Sequence, residues 1–258
     1  MPNRMPVLFL GHGNPMYAIT ENRFRSAWQK ISQRLPRPQA ILCISAHWET
    51  VGTYVTTMAN PRTIHDFFGF PPALFDVEYP APGSPELAQQ ICNIVTRTDV
   101  KLDNQDWGFD HGAWSILSNM YPTADIPVLQ LSLDHTQPPE WHYRIGKQLA
   151  CLREEKVLII ASGNIVHYLS TANLRQKDGF EWAIHTNDFL TECVVNRDFG
   201  KLCNYEKCGA NVHRAIPTPE HYLPLLYTVG CYEEEEPITV FHNEVVNGSI
   251  AMTSFQFG

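Results

Sequence analysis

The chain has 258 residues, of which 44% are hydrophobic and 18% are charged, and its formal net charge is -8. This length suits one large domain or two small ones with a sizeable apolar core. Because nucleic-acid binding needs a basic face to neutralise phosphates, the acidic balance argues against general nucleic-acid binding, although it leaves room for a small basic pocket.

The seven cysteines form no CxxC pair, and the N-terminus has no apolar core followed by a cleavage site. Cys203, Cys208 and His213 resemble part of a metal knuckle, but no fourth ligand stands nearby. No apolar run is long enough to span a bilayer. We therefore expect free thiols, a cytoplasmic location and no membrane partner.

Strand-like apolar runs alternate with helix-like segments along the chain. Strands are expected at residues 7–10, 40–46, 53–58, 127–133, 157–163, 237–241 and 249–257. Helices are expected at residues 21–34, 84–95, 111–120, 139–153, 181–196 and 219–229. Residues 59–83 and 200–217 are expected to be irregular, and a loop as long as the first is often functional.

Two of these helices begin with recognisable caps. Ser84 precedes Pro85, and Thr218 precedes Pro219, so each pair has an N-cap residue followed by proline at the first helical position. The pattern predicts that the second helix starts at residue 219.

Several strands are continuously apolar, which is typical of strands covered on both faces. The alternation predicts an α/β fold, a single-domain sandwich around a mostly parallel central sheet with helices on both faces. The last two strands follow each other closely and are expected to form a hairpin or a sheet edge. No linker divides the chain, so residues 1–258 are expected to form one domain.

Histidines follow three of the predicted strands. His12 comes after the strand at 7–10, His47 after the strand at 40–46, and His167 about a turn after the strand at 157–163. His221 lies in the predicted first turn of a helix, and His111 lies where a loop meets a helix. Because ligands of open α/β sheets bind beyond the carboxyl ends of the strands, and imidazole is the commonest metal ligand, the pattern favours a metal site at this edge.

Other catalytic motifs are absent from the sequence, which has no GxSxG elbow, no Walker A loop and no GxGxxG fingerprint. The remaining histidines are expected to lie on the surface or on helix faces: His135, His142, His185, His213 and His242. His65 lies in the loop sequence TIHDFFGFP, where substrate contact and plain packing are both open.

The segments LFLGHGNPM, ISAHWE, TIHDFFGFP, YPAPGSPELA, GFDHGAW, LSLD, ASGNIVH and PTPEHYLPLL resemble those of the class III extradiol ring-cleavage dioxygenases. More narrowly, they resemble the 4,5-DOPA dioxygenase subgroup. The matching motifs run in order from about residue 6 to the C-terminus.

The resemblance implies one catalytic domain that inserts both atoms of O2 into a catechol, such as L-DOPA, at a non-haem metal ion. It implies His12, His47 and His221 as metal ligands. His167 matches the family's acid/base histidine and is also a candidate fourth ligand, and His111 matches a further active-site histidine. The implied metal is Fe(II) for ring cleavage, with Zn(II) described for relatives.

The third ligand departs from the broader class, which uses two histidines and a carboxylate. Glu220 and His221 stand side by side, and on a helix they would point about 100° apart. We expect His221, and not Glu220, to face the metal. Because zinc normally outcompetes Fe(II) for nitrogen ligands, the native metal stays open.

Substrate contacts are expected from the aromatic loop. Its rings are Phe67, Phe68, Phe70, Phe75 and Tyr79. Within it, Phe70 and His65 are the candidates for substrate binding. The expected partners are a small catechol and O2, with no nucleic acid, and the chain is expected to be a monomer or a small homo-oligomer.

Two other functions stay open at this point. A zinc hydrolase would need a carboxylate base, for which Glu49, Glu220 and Asp110 are available. A binding protein of the same fold without catalytic activity would need a metal closed off by four protein ligands.

Overall fold

The computed structural model describes residues 4–173 and 176–258. Within these ranges the strands are β1 (Val7–Gly11), β2 (Ala40–Thr50), β3 (Thr53–Thr56), β4 (Val100–Asp103), β5 (Val128–Asp134), β6 (Val157–Gly163), β7 (Ile238–Phe241), β8 (Val245–Val246), β9 (Ile250–Ala251) and β10 (Ser254–Phe257). The α-helices are α1 (Arg23–Arg34), α2 (Pro72–Phe75), α3 (Pro85–Ile94), α4 (His111–Met120), α5 (Pro139–Leu149), α6 (Glu181–Val195), α7 (Phe199–Cys203), α8 (Ala210–Ala215) and α9 (Leu223–Gly230).

Eight of the strands form one sheet in the order β4-β3-β5-β2-β6-β1-β10-β7. The four central strands, β5, β2, β6 and β1, run parallel to their neighbours within this group. At one side β3 pairs antiparallel with β5, and at the other β10 pairs antiparallel with β1 and β7. The prediction of a mostly parallel α/β sheet is therefore confirmed, and the last two predicted strands, which contain β7 and β10, pair with each other at one side of it.

Alternating side chains of the central strands are buried on opposite faces of the sheet. Phe9 and Leu42 belong to a core with residues of α3, α5, α6 and α9, whereas Leu8 and Ile41 belong to a second core with residues of α1 and α4. Because both faces are covered, both sets of side chains are apolar, which explains the continuous apolar runs in the sequence.

Most predicted elements match the structure, but several predictions are wrong. The strand expected at 249–257 is interrupted at residues 252–253, and the strand β4 is missed. The regions at 59–83 and 200–217, expected to be irregular, contain the short helices α2, α7 and α8. The strand β4 escaped prediction because it has only four residues, and two of these, Lys101 and Leu102, are exposed. His142, expected among surface or helix-face positions, is fully buried and contacts Tyr227.

The predicted helix start at residue 219 is also wrong, because α9 begins at Leu223. The backbone N–H groups of Tyr222 and Leu223 both donate to the carbonyl of Pro219, which closes a turn. The Thr218 hydroxyl donates to the Glu220 carboxylate at 2.9 Å in place of capping the backbone. His221 therefore lies in a turn before the helix.

In the described part of the chain, none of the helices combines the length and the apolar character that a membrane crossing requires.

Candidate active site

The candidate site lies where three adjacent central strands end. The strands β1 and β2 flank β6, and the residue pairs Gly11–Gly163 and Ser45–Ser162 mark their common edge. His12 directly follows β1, and His47 lies near the end of β2. The order of the strands therefore brings these two imidazoles to the same edge, although 34 residues separate them in the sequence.

The strand β2 is irregular in the segment that contains His47. Pairing between β2 and β5 is regular up to Ile44 and resumes at Glu49 with a shifted register. Such irregularities redirect side chains at the rims of sheets. Here the backbone N–H of His47 donates to the Ser45 hydroxyl at 3.2 Å, in a segment freed from the ladder with β5.

The turn before α9 lies directly on the end of β6. The N–H of Asn164 donates to the carbonyl of His221 at 2.9 Å. A Cβ atom at Gly163 would come within 2.2 Å of the same carbonyl oxygen, so only glycine permits this approach. This contact fixes the third imidazole beside the first two.

His12, His47 and His221 form a compact cluster. One ring nitrogen of each lies within 4.8 Å of the others. The Nε2 atoms of His12 and His47 are 3.1 Å apart. Nitrogens that share one metal ion at about 2.1 Å are separated by roughly 3.0–3.4 Å, so this spacing suits a shared ion.

An oxygen atom faces the Nδ1 atom of each imidazole in the cluster, through a hydrogen bond at His12 and His221 and at ion-pair distance at His47. His12 Nδ1 lies 3.0 Å from the hydroxyl of Ser162, which itself donates to the carbonyl of Gly112. His47 Nδ1 lies 3.3 Å from Asp66 Oδ2, and His221 Nδ1 lies 3.1 Å from Glu220 Oε1.

These partners fix the protonation of the three rings. Carboxylates only accept hydrogen bonds, and the single proton of the serine hydroxyl is already donated. The Nδ1 atoms of His12 and His221 therefore carry hydrogen, and the nearby Asp66 carboxylate favours hydrogen on Nδ1 of His47 as well. In these neutral rings each Nε2 then presents a lone pair. Partners that orient histidines in this way are usual behind metal ligands.

Burial keeps these imidazoles neutral. Desolvation and the neighbouring histidines hold the pKa of His12 and of His221 well below the usual range. The same two causes, partly offset by Asp66 and Glu220, lower the pKa of His47 to about 3. Neutral imidazole is the form that binds metal ions, so protons do not compete for Nε2 near neutral pH.

His167 and His111 stand on either side of the cluster. The ring of His167 stacks on that of His221 with centroids 3.5 Å apart, and burial lowers the pKa of His167 to about 4. The ring of His111 lies 3.9 Å from that of His47, and its Nδ1 is 2.9 Å from Asp66 Oδ2. All five histidines that the sequence singled out at this edge therefore meet in one place.

A cavity of about 350 Å³ opens above the cluster. All five of these histidines line it. Its other lining residues are Gly13, Asn14, Pro15, Asp66, Phe67, Phe68, Phe70, Leu169, Ala172, Asn247 and Ile250. The volume and the mainly apolar walls suit a small organic ligand.

Of the two predicted substrate contacts, one lies at the cavity and one lies behind it. Phe70 lines the cavity. His65 is not among the lining residues, since its Nε2 is 3.0 Å from the Val77 carbonyl and its ring packs on Phe67 and Trp114.

The carboxylates considered for a hydrolase are engaged elsewhere or lie outside the cavity. Asp110 is buried and accepts hydrogen bonds from Ser45 and Gln130. Glu220 Oε1 forms a hydrogen bond of 3.1 Å with His221 Nδ1, and Glu49 is exposed on β2. None of the three lines the cavity.

Sequence reasoning missed Asp66, Ser162 and Gly112. Asp66 lies within the quoted motif TIHDFFGFP, and a search for acceptors able to orient each histidine could have found it. Burial and hydrogen bonds from His111 have opposite effects on the pKa of Asp66, and the hydrogen bonds and nearby histidines prevail and lower it to about 2. Asp66 is therefore ionised at neutral pH.

Together, the fold and the site define an α/β protein with an imidazole cluster able to hold a metal ion beneath an apolar cavity. The model of the family described as the catalytic LigB subunit of aromatic ring-opening dioxygenase matches residues 6–257. The chain belongs to this family, whose members use a non-haem metal.

Curated relatives agree with this family. The chain is 47% identical to a protein of Escherichia coli K12 named 4,5-DOPA dioxygenase extradiol, over 99% of this chain and 95% of that protein. It is 38% identical to a protein of the same name from Beta vulgaris, over 99% of this chain and 97% of that one.

A solved structure confirms the fold. The crystal structure of an uncharacterized protein from Escherichia coli K12 superposes with a TM-score of 0.87 and 42% identity, covering 99% of this chain and all of the other. The resemblance noted from the sequence is thus confirmed. The chain is an oxidoreductase of the extradiol dioxygenase class, and its family acts on a small molecule and O2.

Gly112 provides a test of how tightly the cluster is packed. A Cβ atom there would lie 2.4 Å from Ser45 Oγ and 2.9 Å from His47 Cδ2. We predict that Gly112→Ala displaces His47 and weakens Zn(II) binding at least about tenfold, as measured by competition with a chromophoric chelator.

Gly200→Ala is the matched control, because Gly200 is also helical and its Cβ would meet nothing within 4 Å. Equal zinc affinity in Gly112→Ala and Gly200→Ala would contradict the predicted displacement of His47.

Proposed function

We propose that this protein opens the ring of L-DOPA or a closely similar catechol by 4,5-extradiol cleavage. In this proposal His12, His47 and His221 hold one divalent ion through Nε2. The carrying observation is that one ring nitrogen of each histidine lies within 4.8 Å of the others, while an oxygen of Ser162, Asp66 or Glu220 faces each Nδ1. Fe(II) is the proposed ion for catalysis, and Zn(II) is one that the same ligands would also bind.

The donor set supports a cation at this point. The Nε2 atoms of His12 and His47 are 3.1 Å apart, so either one of them donates hydrogen to the other or, with hydrogen on both Nδ1 atoms, their lone pairs repel unless a cation binds both. When bound, such an ion supplies Lewis acidity and, if it is iron, a path for electrons from the catechol to O2. Zinc lacks the second oxidation state that this path requires.

We assign proton transfer to His167. Burial lowers its pKa to about 4, so its imidazole is neutral at pH 7 and has an unprotonated nitrogen. That nitrogen would accept a proton from a catechol hydroxyl whose acidity a bound cation raises. It lines the cavity beside His221, within reach of a ligand placed over the cluster.

His111 has a second role in this proposal. Its Nδ1 donates to Asp66, so its Nε2 is left as an acceptor. A second hydroxyl or a substrate oxygen bearing hydrogen would bind there. The two histidines thus hold the two oxygens of a catechol from opposite sides of the cluster.

The cavity walls support an aromatic substrate. Phe67, Phe70 and Ile250 provide apolar surface for a ring. Asn14 and Asn247 also line the cavity, and their amides are polar groups that the amino-acid end of L-DOPA would meet. The choice of L-DOPA itself draws on the printed names of the curated relatives.

The test is anaerobic loading with Fe(II), followed by L-DOPA and air. We expect O2 uptake and a yellow semialdehyde product from the iron-loaded protein and neither from the zinc-loaded protein. His167→Ala should lower kcat by roughly 10²- to 10⁴-fold, the usual contribution of a positioned acid or base.

His185→Ala is the control for this experiment, since His185 is exposed on α6. Activity with zinc in the absence of O2 would favour a hydrolase. No O2 uptake with L-DOPA or any simple catechol would overturn the proposed reaction.

A separate prediction tests whether His221 or Glu220 is the third metal ligand. Glu220→Ala removes the acceptor behind His221 and should weaken metal binding by roughly 10- to 100-fold. His221→Ala removes a ligand and should weaken it by more. Isothermal titration with Zn(II) checks the order, and a larger loss in Glu220→Ala would show that the carboxylate is the ligand.

A further inference from the structure

Asp66 makes three contacts with two different histidines. Its Oδ1 accepts from the backbone N–H of His111 at 2.8 Å, and its Oδ2 lies 2.9 Å from His111 Nδ1. The same Oδ2 lies 3.3 Å from His47 Nδ1. One carboxylate oxygen therefore faces the Nδ1 atoms of a proposed metal ligand and of a histidine that is not in the proposed ligand set.

This arrangement favours the same tautomer in both rings. A carboxylate offers no hydrogen, so His111 Nδ1 donates to it at 2.9 Å. His47 Nδ1 lies 3.3 Å from the same oxygen, which attracts it when it carries hydrogen and repels its lone pair when it does not. The Nε2 atoms of His47 and His111 are then both free of hydrogen, one near His12 and the other on a ring that lines the cavity.

Asp66 also begins the aromatic wall of the cavity. The next residue, Phe67, packs edge-on against the His111 ring with centroids 5.5 Å apart and against Phe70 at 5.3 Å. Phe67, Phe68 and Phe70 all line the cavity. The loop that carries this wall is thus attached to the imidazole cluster through the Asp66 side chain.

We propose that Asp66 is a positioning residue that holds His47 and His111 in the tautomers the reaction needs and ties the aromatic wall to the metal site. This inference rests on the proposed function, because it takes His47 as a metal ligand. Asp66 acts through the two imidazoles and through Phe67, with no contact to the metal.

The amide of asparagine has the same shape but cannot replace the carboxylate. If its NH2 group faces the two Nδ1 atoms, one or both rings must move their hydrogen to Nε2, where it blocks metal binding. If its oxygen faces them, the NH2 group meets the backbone N–H of His111, and two donors are opposed. Either orientation disturbs the site.

The experiment compares Asp66→Asn with the wild type and with Asp76→Asn. Asp76 is an exposed carboxylate of the same loop and is the matched control. Zinc affinity is measured by chelator competition, the ligand field by the visible spectrum of the Co(II)-loaded protein, and kcat and KM with L-DOPA at saturating Fe(II).

For Asp66→Asn we expect zinc affinity 10- to 100-fold weaker, a changed Co(II) spectrum, and a KM raised about tenfold because the aromatic wall is released. Asp76→Asn should match the wild type in all three. A folded Asp66→Asn protein with wild-type zinc affinity, Co(II) spectrum and KM would overturn the role of Asp66.

A second measurement covers the case in which Asp66→Asn does not fold. Nitrogen-15 spectra of metal-free wild-type protein with labelled histidine rings report which ring nitrogen carries hydrogen. We expect Nδ1–H for both His47 and His111, and Nε2–H on either ring would overturn the proposal.

The same binding measurements distinguish failure of the proposed metal site from failure of the role of Asp66. A wild-type protein that binds neither zinc nor cobalt would overturn the metal site itself, and with it this role. Tight binding by the wild type that Asp66→Asn retains would overturn the role of Asp66 alone.

Discussion

Contacts between the Nδ1 atoms of three imidazoles and neighbouring oxygens are the interactions on which the rest of the site depends. An imidazole can rotate and can carry its hydrogen on either nitrogen, so placing three of them at a sheet edge does not by itself create a site. Ser162 and Glu220 remove that freedom by accepting from Nδ1, and Asp66 restricts it through its charge, 3.3 Å from Nδ1 of His47. Only then do the Nε2 lone pairs converge, and a cation becomes the natural partner for them.

The first turn of α4 connects these interactions. Its Gly112 provides the carbonyl to which Ser162 donates, and the absence of a side chain at Gly112 leaves room for the His47 ring. Its His111 binds Asp66 through both backbone and side chain. Asp110 anchors the start of the helix through Ser45 and Gln130. The start of α4 therefore helps to position His12 and His47, although none of its own side chains belongs to the three-histidine cluster.

The sequence predicts a large part of this architecture because its signals are local. Continuous apolar strands alternating with helices indicate a covered parallel sheet, and the histidines after strands 7–10 and 40–46 then have to meet at one edge. The antiparallel edge beside β1 follows less directly, since the pattern at 249–257 hides a break between β9 and β10.

The parts that the sequence does not reveal depend on contacts between distant residues. The turn that carries His221 looks like a capped helix start in the sequence, but the His221 carbonyl accepts from the N–H of the distant Asn164, a contact that no local pattern reveals. Asp66 lies 45 positions from His111 and 19 from His47, and no local rule pairs them. His65 has the same local signal as Asp66 but turns towards Val77, behind the cavity wall.

A crystal structure of the metal-loaded protein, with anomalous data at the metal edge, would locate the ion directly. We predict one anomalous peak about 2.0–2.2 Å from the Nε2 atoms of His12, His47 and His221, with Asp66 and Glu220 behind the ligands. A peak bound by Glu220 or Asp66, or one located away from these three imidazoles, would contradict this prediction.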